Sequence, residues 1–323
     1  MKSLDELHRL VGEKLQEEHF SGIPSTLYEP IAYIMSLGGK RLRPVLLLLA
    51  AQMYGRKPES VLDAAIGIEV FHNFTLMHDD IMDHAPMRRG RETVHTKWDV
   101  NTAILSGDTM MVLAYDLLLK TPTDHLTDVL GTFNQTAREV CEGQQYDMDF
   151  ETSASVSIPE YMEMIRLKTS VLIAGALKMG AQIAGAPADE VELLYRFGEK
   201  IGLAFQLKDD LLDVFGDESR FGKKTGNDIL TNKKTFLLIS CLEAATPQDR
   251  GEIIRWMAKH DEPERKIQTI TALFRKYSID KLTDRAIEQL NSEGLEFLRQ
   301  LHAGEAKLIP LHQMLESMKL RDL

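Results

Sequence analysis

The pattern of apolar and polar positions along the chain predicts an almost entirely helical protein. Ala, Leu, Met, Glu and Lys are abundant in nearly every segment, and the alternation typical of β-strands is scarce. Glycine and proline turn signals, such as Gly38-Gly39 and Ala186-Pro187, separate the segments. The expected helices cover about 3–19, 25–36, 42–55, 59–83, 101–120, 124–150, 159–184, 188–216, 232–244, 247–259, 264–277, 281–301 and 305–318.

Two of these predicted helices, 59–83 and 188–216, are apolar around much of their circumference. Such helices are buried in the middle of a protein rather than lying on its surface. Both end in a cluster of aspartates, which we expect at the rim of a helical bundle above a deep, dry interior. No long low-complexity linker divides the chain, so we expect residues 1–323 to form one all-α domain.

Composition and charge exclude several classes of function. The chain has 323 residues, 44% of them hydrophobic, and its formal net charge of −11 argues against a general nucleic-acid or anionic-membrane binder. Cys141 and Cys241 provide no disulfide framework, and the polar N-terminus lacks the apolar stretch of a signal peptide. The longest apolar run, 45–51, is too short to span a bilayer. We expect a cytoplasmic protein without stable membrane insertion and without a nucleic-acid partner.

The two aspartate clusters have the same form, Asp79-Asp80-Ile81-Met82-Asp83 and Asp209-Asp210-Leu211-Leu212-Asp213. On a helix, residues four apart are about 40° apart and roughly 6 Å apart along the axis, so the first and last aspartates share a face. Acidic runs are usually solvated surface, but two such runs that each follow apolar sequence are poorly explained in that way. Unpaired carboxylates would repel one another, and Mg²⁺ typically bridges such groups to substrate phosphates. The pair of clusters therefore predicts a site that holds a diphosphate through magnesium.

Basic residues lie beside turns near the first cluster. The segment 38–44 contains two glycines, Lys40 and two arginines, and Arg88 and Arg89 follow the first cluster closely. Arginine binds phosphate oxygens with two donors, and lysine acts as a point charge. Basic residues near turns are usually solvated, but proximity to the aspartates favours a role in diphosphate binding.

Several single residues have both an ordinary and a functional interpretation. His72 alone would be a core histidine, and Gln206 alone would be a buried amide whose hydrogen bonds are satisfied. Lys168-Thr169 lies within a predicted helix, and Lys223 and Lys233 follow the second cluster as loop lysines that normally face water. His72 precedes Asp79 by seven residues, about 20° around the helix, which puts it on the side of the aspartates.

These motifs, in this order, resemble the trans-isoprenyl diphosphate synthases, the family of farnesyl and geranylgeranyl diphosphate synthases. The match runs from 38–44 through both aspartate clusters and includes Arg88-Arg89-Gly90, the segment 143–147 and Lys168-Thr169. The resemblance covers nearly the whole chain. It implies an all-α, single-domain helical bundle of the isoprenoid synthase type with a deep central cavity. It also implies a short-chain prenyltransferase that condenses an allylic diphosphate with isopentenyl diphosphate.

The resemblance further implies a role for each candidate residue. Asp79, Asp83 and Asp209 would bind magnesium directly, and Asp80, Asp210 and Asp213 would support them or bind metal-bound water. Lys40, Arg43, His72 and Arg89 would bind isopentenyl diphosphate, and Arg88, Lys168 and Lys223 would hold the allylic diphosphate, with Lys233 assisting closure. Thr169, Gln206 and the Lys168 carbonyl would stabilise the allylic cation, and Gln144 and Asp147 would support the same mouth.

The implied reaction is ionisation of the allylic diphosphate, condensation and loss of a proton, with the released diphosphate as the base. The implied cofactor is Mg²⁺, three ions per active site, with Mn²⁺ as a possible replacement. The allylic partner would be dimethylallyl, geranyl or farnesyl diphosphate. The family also implies a homodimer whose interface involves residues 101–150.

Product length should depend on the depth of the apolar pocket. Phe74 lies about 7.5 Å and Phe71 about 12 Å along the helix from Asp79. A bulky residue at the position of Phe74 resembles the short-chain enzymes, and the small Thr75 beside it favours a C20 over a C15 product. Both phenylalanines could instead be ordinary core residues.

Two other functions remain open at this level. A class I terpene cyclase would ionise the same substrates in a similar fold, but it usually pairs one aspartate-rich motif with an Asn/Ser/Glu motif. A non-catalytic subunit of a heteromeric synthase would tend to lose aspartates or basic anchors. The C-terminal residues 318–323 lack the basic tail of some farnesyl synthases, and the first motif lacks the extra residues of many bacterial farnesyl enzymes. The first departure implies that closure over isopentenyl diphosphate uses other groups. The second weakens a farnesyl assignment but not the reaction class.

Overall fold

The expected all-α architecture is confirmed. The computed structural model, which is 79% helical, describes residues 1–216, 225–259 and 261–320. Within these ranges the α-helices are α1 Leu4–Glu17, α2 Ser25–Ser36, α3 Leu42–Met53, α4 Leu62–Met82, α5 Val94–Lys97, α6 Val100–Leu118, α7 Thr123–Thr152, α8 Ile158–Ile165, α9 Val171–Ile183, α10 Ala188–Phe215, α11 Asn227–Leu230, α12 Phe236–Ala244, α13 Pro247–Met257, α14 Pro263–Lys276, α15 Ile279–Arg299 and α16 Glu305–Leu320.

Local sequence explains where many of these helices begin. Ser3 and Ser157 each cap a helix with a glutamate three residues later, so that side chain and backbone satisfy each other's hydrogen bonds. Asp99 caps α6 by accepting a hydrogen bond from the backbone of Thr102. The predicted helix boundaries agree with the structure to within about three residues for most elements.

Four features differ from the predicted pattern. The helix expected at 159–184 is interrupted by a π-helical turn at Arg166–Ser170, and the one expected at 59–83 starts with a 3₁₀ turn at Pro58–Val61. The helix expected at 232–244 begins only at Phe236, because Thr235 is extended and caps it. The short helices α5 and α11, and a two-stranded hairpin, are additional elements that the helical pattern did not predict.

The hairpin pairs β1 (Met87–Arg88) with β2 (Arg91–Glu92) in antiparallel register, Met87 opposite Glu92 and Arg88 opposite Arg91. Its two turn residues, Arg89 and Gly90, both have positive φ, which a two-residue hairpin turn of this type requires. The turn fixes the directions of two arginines that the sequence assigns to diphosphate binding.

The chain folds into two compact units. The first comprises Met1–Thr136, Ile173–Tyr195 and Leu301–Leu323, and the second comprises Ala137–Leu172 and Arg196–Gln300. The expectations of a single domain over residues 1–323 and of a deep central cavity stay predictions.

The core of the first unit is built on α3 and α4. The α3 segment 45–51 is fully buried, and α4 packs along α6 and against α3. Helix α9 approaches α3 so closely that a Cβ at Gly180 would overlap the Leu47 carbonyl oxygen. This close packing restrains α4 and the aspartates at its end.

The core of the second unit surrounds α12, whose Leu237 and Cys241 are fully buried. Helices α8, α14 and α15 pack against it, and Leu207 and Leu211 of α10 join the same apolar cluster. This cluster buries the apolar face of α10, the helix that carries the second aspartate motif. None of the helices in the described ranges is long and apolar enough to cross a membrane.

Candidate active site

The first aspartate motif lies at the C-terminal end of α4. Asp79 is half-buried, Asp80 is buried, and Asp83 is exposed directly after the last helical residue. The Asp83 backbone N–H donates to the Asp79 carbonyl at 2.9 Å, so these two residues are one helical turn apart. Asp79 and Asp83 therefore lie where solvent or a ligand reaches them, whereas Asp80 is directed into the protein.

Arg88 of the hairpin binds this motif. Its Nε donates to both carboxylate oxygens of Asp80 at 2.8 and 2.9 Å, and its Nη2 lies 3.3 Å from Asp79 Oδ2. Burial raises the pKa of Asp80, although the hydrogen bond with Arg88 opposes that rise. The hairpin thus connects a guanidinium group directly to the aspartates.

A second basic group surrounds His72 on α4. Arg43 Nη1 lies 3.0 Å from His72 Nε2, and Arg41, which has positive φ, pairs with the buried Glu69 at 2.5 Å. Arg89 donates to the Gly38 carbonyl oxygen from the hairpin turn. A Cβ at Gly39 would lie 2.7 Å from Arg89 Nη2, so the glycine leaves room for that side chain.

This basic group is strongly electropositive. Burial, together with the neighbouring Arg43 and Arg89, holds the pKa of His72 well below its usual range. Burial lowers the pKa of Arg43 to about 10, and burial followed by the charge of Arg41 lowers the pKa of Arg89. The buried Nε of Arg43 makes no hydrogen bond within the part of the chain that the structure describes. An unsatisfied buried guanidinium donor among like charges is a strong site for an anion.

The second aspartate motif lies near the C-terminal end of α10 and repeats the exposure pattern of the first. Asp209 and Asp213 are half-buried, and Asp210 is buried. Asp210 accepts hydrogen bonds from the Tyr161 hydroxyl and from Gln206 Nε2, the latter at 3.0 Å. Burial, reinforced by the negative charge of Asp228, raises the pKa of Asp210 to about 7.

Two lysines converge on one carboxylate in the second unit. Lys168 Nζ lies 2.6 Å and Lys233 Nζ 3.7 Å from Asp147 Oδ2. The backbone N–H of Asp228 donates to Asp213 Oδ2 at 3.0 Å, which joins the short helix α11 to the aspartate motif. Nearby in the sequence, the buried Nε2 of Gln144 makes no hydrogen bond within the described ranges. Lys223 lies outside the described residues.

Thr169 and Gln206, the two side chains that the family resemblance assigns to the allylic cation, contact each other. Thr169 Oγ1 donates to Gln206 Oε1 at 3.0 Å from the π-helical turn. A Cβ at Gly143 of α7 would overlap the Lys168 backbone nitrogen, and one at Gly202 of α10 would lie 2.7 Å from Ser170 Cα. The turn therefore fits between two helices that approach it at glycines.

The predicted chain-length residues belong to an aromatic cluster in the first unit. Phe71 is fully buried, with its ring centroid 5.6 Å from that of Phe74 and 5.1 Å from that of Phe133. Phe74 is half-buried and packs against His78 at 4.7 Å, and Thr75 beside it donates to the His72 carbonyl oxygen at 2.8 Å. Phe74 therefore has accessible surface that Phe71 lacks.

The donor set of the aspartate motifs suits a hard divalent cation. Among the described residues, no group of three or more His, Cys, Asp or Glu side chains already has the arrangement of a metal site. The accessible groups are carboxylates, without thiolates or imidazoles, which is the chemistry that Mg²⁺ prefers. Mg²⁺ also takes few protein ligands and fills its remaining positions with water and phosphate.

Four contacts involve residues that the sequence analysis did not assign a role. Tyr161 donates to Asp210, and the Asp228 backbone donates to Asp213. Glu69 pairs with Arg41, and Phe133 packs against Phe71. Tyr161 lies 49 residues from Asp210 in the chain, so no local pattern connects them. Asp228 immediately follows a Gly-Asn turn signal, and this is the one signal that could have identified it.

Comparison with known proteins agrees with this architecture and chemistry. The family model described as polyprenyl synthetase matches residues 24–274. A geranylgeranyl diphosphate synthase of Methanosarcina mazei is 40% identical over 283 residues, which are 85% of each chain. A crystal structure of a geranylgeranyl pyrophosphate synthase superimposes with a TM-score of 0.93 at 45% identity, covering 98% of this chain and 99% of that one.

A third similar protein was solved with ligands. It is a geranylgeranyl pyrophosphate synthase from Corynebacterium glutamicum, complexed with isoprenyl diphosphate and magnesium, with a TM-score of 0.84 and 31% identity over 98% of this chain and 97% of that one. The fold and these similarities define the class of the protein as a prenyltransferase of isoprenoid biosynthesis. The chain belongs to the polyprenyl synthetase family.

Proposed function

We propose that the chain condenses an allylic diphosphate with isopentenyl diphosphate and releases a C15–C20 isoprenyl diphosphate, mainly C20. The allylic C–O bond breaks, a new C–C bond forms to isopentenyl diphosphate, and a proton leaves to the released diphosphate. No protein nucleophile is needed, so the side chains act by binding, orienting and excluding water.

The observation that carries this proposal is the partly buried basic group around His72. Arg43, Arg89 and His72 each have a pKa lowered by burial and by neighbouring positive charge, which is unfavourable unless an anion binds there. Arg43 also offers a buried donor without a partner. These residues, together with Lys40, would bind the diphosphate of isopentenyl diphosphate.

The allylic diphosphate would be held by cations that carboxylates now neutralise. Arg88 is paired with Asp79 and Asp80, and Lys168 and Lys233 share Asp147. A diphosphate offers more negative oxygens than one carboxylate and would compete for these donors. Lys223 would take part in the same role, as the family resemblance implies.

Asp79, Asp83 and Asp209 would hold Mg²⁺, three ions per active site, with Mn²⁺ as a possible replacement. When bound, the metal neutralises charge on the departing diphosphate and lowers the barrier to ionisation. Asp80, Asp210 and Asp213 would keep the motifs in place through their hydrogen bonds. Thr169 and Gln206 would present oxygen atoms to the allylic cation within an otherwise apolar surround.

A C20 product is supported by the three similar proteins reported above, each of which is named as a geranylgeranyl diphosphate or pyrophosphate synthase. The half-buried Phe74 would form the floor of the product pocket, with Phe71 packed beneath it. The allylic starter would then be dimethylallyl, geranyl or farnesyl diphosphate.

The chain would act as a homodimer through α6 and α7. On α6, Leu105 and Val112 are 59% and 60% exposed, and Leu119 just beyond its end is 52% exposed. Residues spaced by seven lie on one helical face, so these three side chains form an apolar stripe. Both cysteines are free, which suits the predicted cytoplasmic location.

The reaction is tested by transfer of labelled isopentenyl diphosphate into acid-labile, solvent-extractable product, with each allylic starter and Mg²⁺. We expect activity that EDTA abolishes and that excess Mg²⁺ restores. Asp79→Ala should lower kcat by at least about a hundredfold, because a metal ligand at the reacting phosphate is lost. Asp261→Ala, a change at an exposed aspartate, is the matched control and should leave activity unchanged.

Isopentenyl diphosphate binding is tested separately with Arg43→Gln. This change should raise the KM for isopentenyl diphosphate at least about tenfold and leave the KM for the allylic substrate nearly unchanged, since one charge-assisted contact is removed. Absence of transfer with every starter in the presence of Mg²⁺ would contradict the proposed reaction. Equal effects on both KM values would contradict the assignment of Arg43.

A further inference from the structure

A continuous chain of hydrogen bonds runs from a fully buried tyrosine to the π-helical turn. The Tyr161 hydroxyl donates to Asp210 Oδ2, Gln206 Nε2 donates to Asp210 Oδ1 at 3.0 Å, and Thr169 Oγ1 donates to Gln206 Oε1 at 3.0 Å. All four residues belong to the second compact unit. Each oxygen of the Asp210 carboxylate therefore has a donor inside the protein.

The direction of donation along this chain determines what Thr169 and Gln206 can offer to a substrate. In its ionised form Asp210 only accepts hydrogen bonds, as it does here from Tyr161 and Gln206, so it fixes the NH₂ end of the Gln206 amide toward itself and the oxygen end toward Thr169. The Thr169 hydroxyl proton then points at Gln206. Lone pairs on Thr169 Oγ1 and on Gln206 Oε1 are not used within this chain of hydrogen bonds, and they attract a positive charge.

The opposite orientation of the amide would be unfavourable for an allylic cation. If Gln206 turned over, its N–H groups would point toward Thr169 and toward the substrate, and their positive ends would repel the cation. The carboxylate can hold the amide in one orientation only if the carboxylate itself is held. Tyr161 supplies that restraint, because it donates to the oxygen of Asp210 that Gln206 does not use.

We propose that Tyr161 is a positioning residue for the ionisation step, acting through Asp210 and Gln206 on the oxygen atoms that face the allylic cation. The inference rests on the proposed prenyl transfer. Tyr161 is 1% exposed, so it acts without touching the substrate. Its effect belongs to the transition state, where positive charge develops, rather than to binding of the diphosphates.

The first test is Tyr161→Phe, which keeps the ring and removes only the hydroxyl. We expect the single-turnover rate with a saturating allylic diphosphate to fall about tenfold or more, and both KM values to change less than about twofold. Tyr277→Phe is the matched control, because the Tyr277 hydroxyl also donates to a carboxylate, that of Asp249, in the same unit. The control should leave the single-turnover rate unchanged.

A double-mutant cycle distinguishes positioning from a general structural effect. Gln206→Leu removes the group through which Tyr161 acts, so adding Tyr161→Phe to that variant should cause no further loss of rate. A loss that persists in the Gln206→Leu background would overturn the inference, as would a Tyr161→Phe variant with an unchanged rate.

The outcomes also separate this inference from the proposed function. If the wild-type chain transfers no prenyl group with any starter, the proposed function fails; if it is active and Tyr161→Phe behaves as wild type, only the positioning role fails. If a variant does not fold, a measurement on the wild-type protein still tests the inference. The side-chain NH₂ signals of Gln206, identified by their absence in Gln206→Leu, should exchange slowly with solvent, and rapid exchange would contradict a held amide.

Discussion

The second aspartate of each motif, Asp80 or Asp210, is buried and bound by side chains of the protein, whereas the first and third are more accessible. Arg88 binds Asp80, and Tyr161 and Gln206 bind Asp210. We infer that the same pattern of three aspartates serves two tasks in each motif. In the proposed mechanism the outer carboxylates would bind metal, and the middle carboxylate would orient the guanidinium or amide group that meets the substrate.

The pH dependence of stability should carry a contribution from His72. Burial and the neighbouring arginines hold its pKa in the folded state well below the usual value of about 6.5, so it stays neutral when the unfolded chain takes up a proton. The titration of His72 therefore leaves the free energy of unfolding unchanged above about pH 6.5 and lowers it as the pH falls below that value. Between pH 7.5 and 5.5 the loss should be up to about 1.4 kcal/mol, measured from urea unfolding.

Substitution isolates this contribution from the carboxylates that titrate in the same range. In His72→Gln the loss of unfolding free energy between pH 7.5 and 5.5 should be smaller than in wild type by about the same 1.4 kcal/mol. His302→Gln, a change at an exposed histidine, serves as the control and should keep the wild-type difference. A wild-type pH response in His72→Gln would show that the histidine is not held neutral.

The two phenylalanines on α4 should respond differently to truncation. Phe74→Ala should shift products to longer chains with little loss of stability, because its side chain is only half-buried. Phe71→Ala should lower the free energy of unfolding by about 3–5 kcal/mol, because a fully buried ring in contact with Phe133 leaves a cavity. Thermal unfolding and product sizing on both variants check these two expectations. Unchanged products from Phe74→Ala would contradict the assignment of Phe74 to the pocket floor.

At the scale of elements, the π-helical turn at Arg166–Ser170 carries Lys168 and Thr169, two residues of the proposed mechanism. A π-turn inserts one residue into a helix and turns the side chains that follow, and such turns are frequent at functional sites. Gly143 of α7 and Gly202 of α10 make room for it. The position of Lys168 and Thr169 is therefore set by neighbouring helices as well as by their own.

Gly143→Ala should disturb this turn. The added Cβ would overlap the Lys168 backbone, so we expect kcat to fall at least about tenfold as Lys168 and Thr169 are displaced. Gly131→Ala on the same helix is the matched control, because its Cβ meets nothing within 4 Å. It should keep activity and raise stability by up to about 1 kcal/mol through higher helix propensity, and equal loss of kcat in both variants would contradict the account.

Most helices are predictable from local sequence, but the interruption at Arg166–Ser170 is not. Leu167 and Lys168 are ordinary helix formers, so nothing in their own segment signals a π-turn. The cause lies in the close approach of helices that are distant in sequence. The hairpin at Met87–Glu92 could not be predicted for a different reason, because its strands are too short to show an alternating pattern.

At the scale of the whole molecule, the apolar stripe on α6 supports assembly into a homodimer. Val112→Glu should convert the proposed dimer into monomers, because it places a charge in the middle of a stripe that association would bury. Light scattering after size exclusion measures the mass. Ile254→Glu changes a residue of similar exposure, 55%, on α13 and should leave the mass unchanged. A wild-type chain that is monomeric would contradict the proposed assembly.

The composition of the site was largely predictable, because the aspartate motifs and basic segments are local patterns with a chemical reason. Their connections were not. The contact of Tyr161 with Asp210, and that of Phe71 with Phe133, join residues far apart in the chain and depend on tertiary packing. The sequence thus indicates the candidate groups for chemistry, and the fold supplies the residues that contact those groups.

The most direct measurement is the chain length of the product. The purified chain is incubated with isopentenyl diphosphate, each allylic starter and Mg²⁺, and the alcohols obtained after dephosphorylation are sized. The account predicts alcohols up to C20, with C20 as the main final product and no cyclised hydrocarbons. Failure to elongate any starter, or formation of cyclic hydrocarbons in place of linear alcohols, would contradict it.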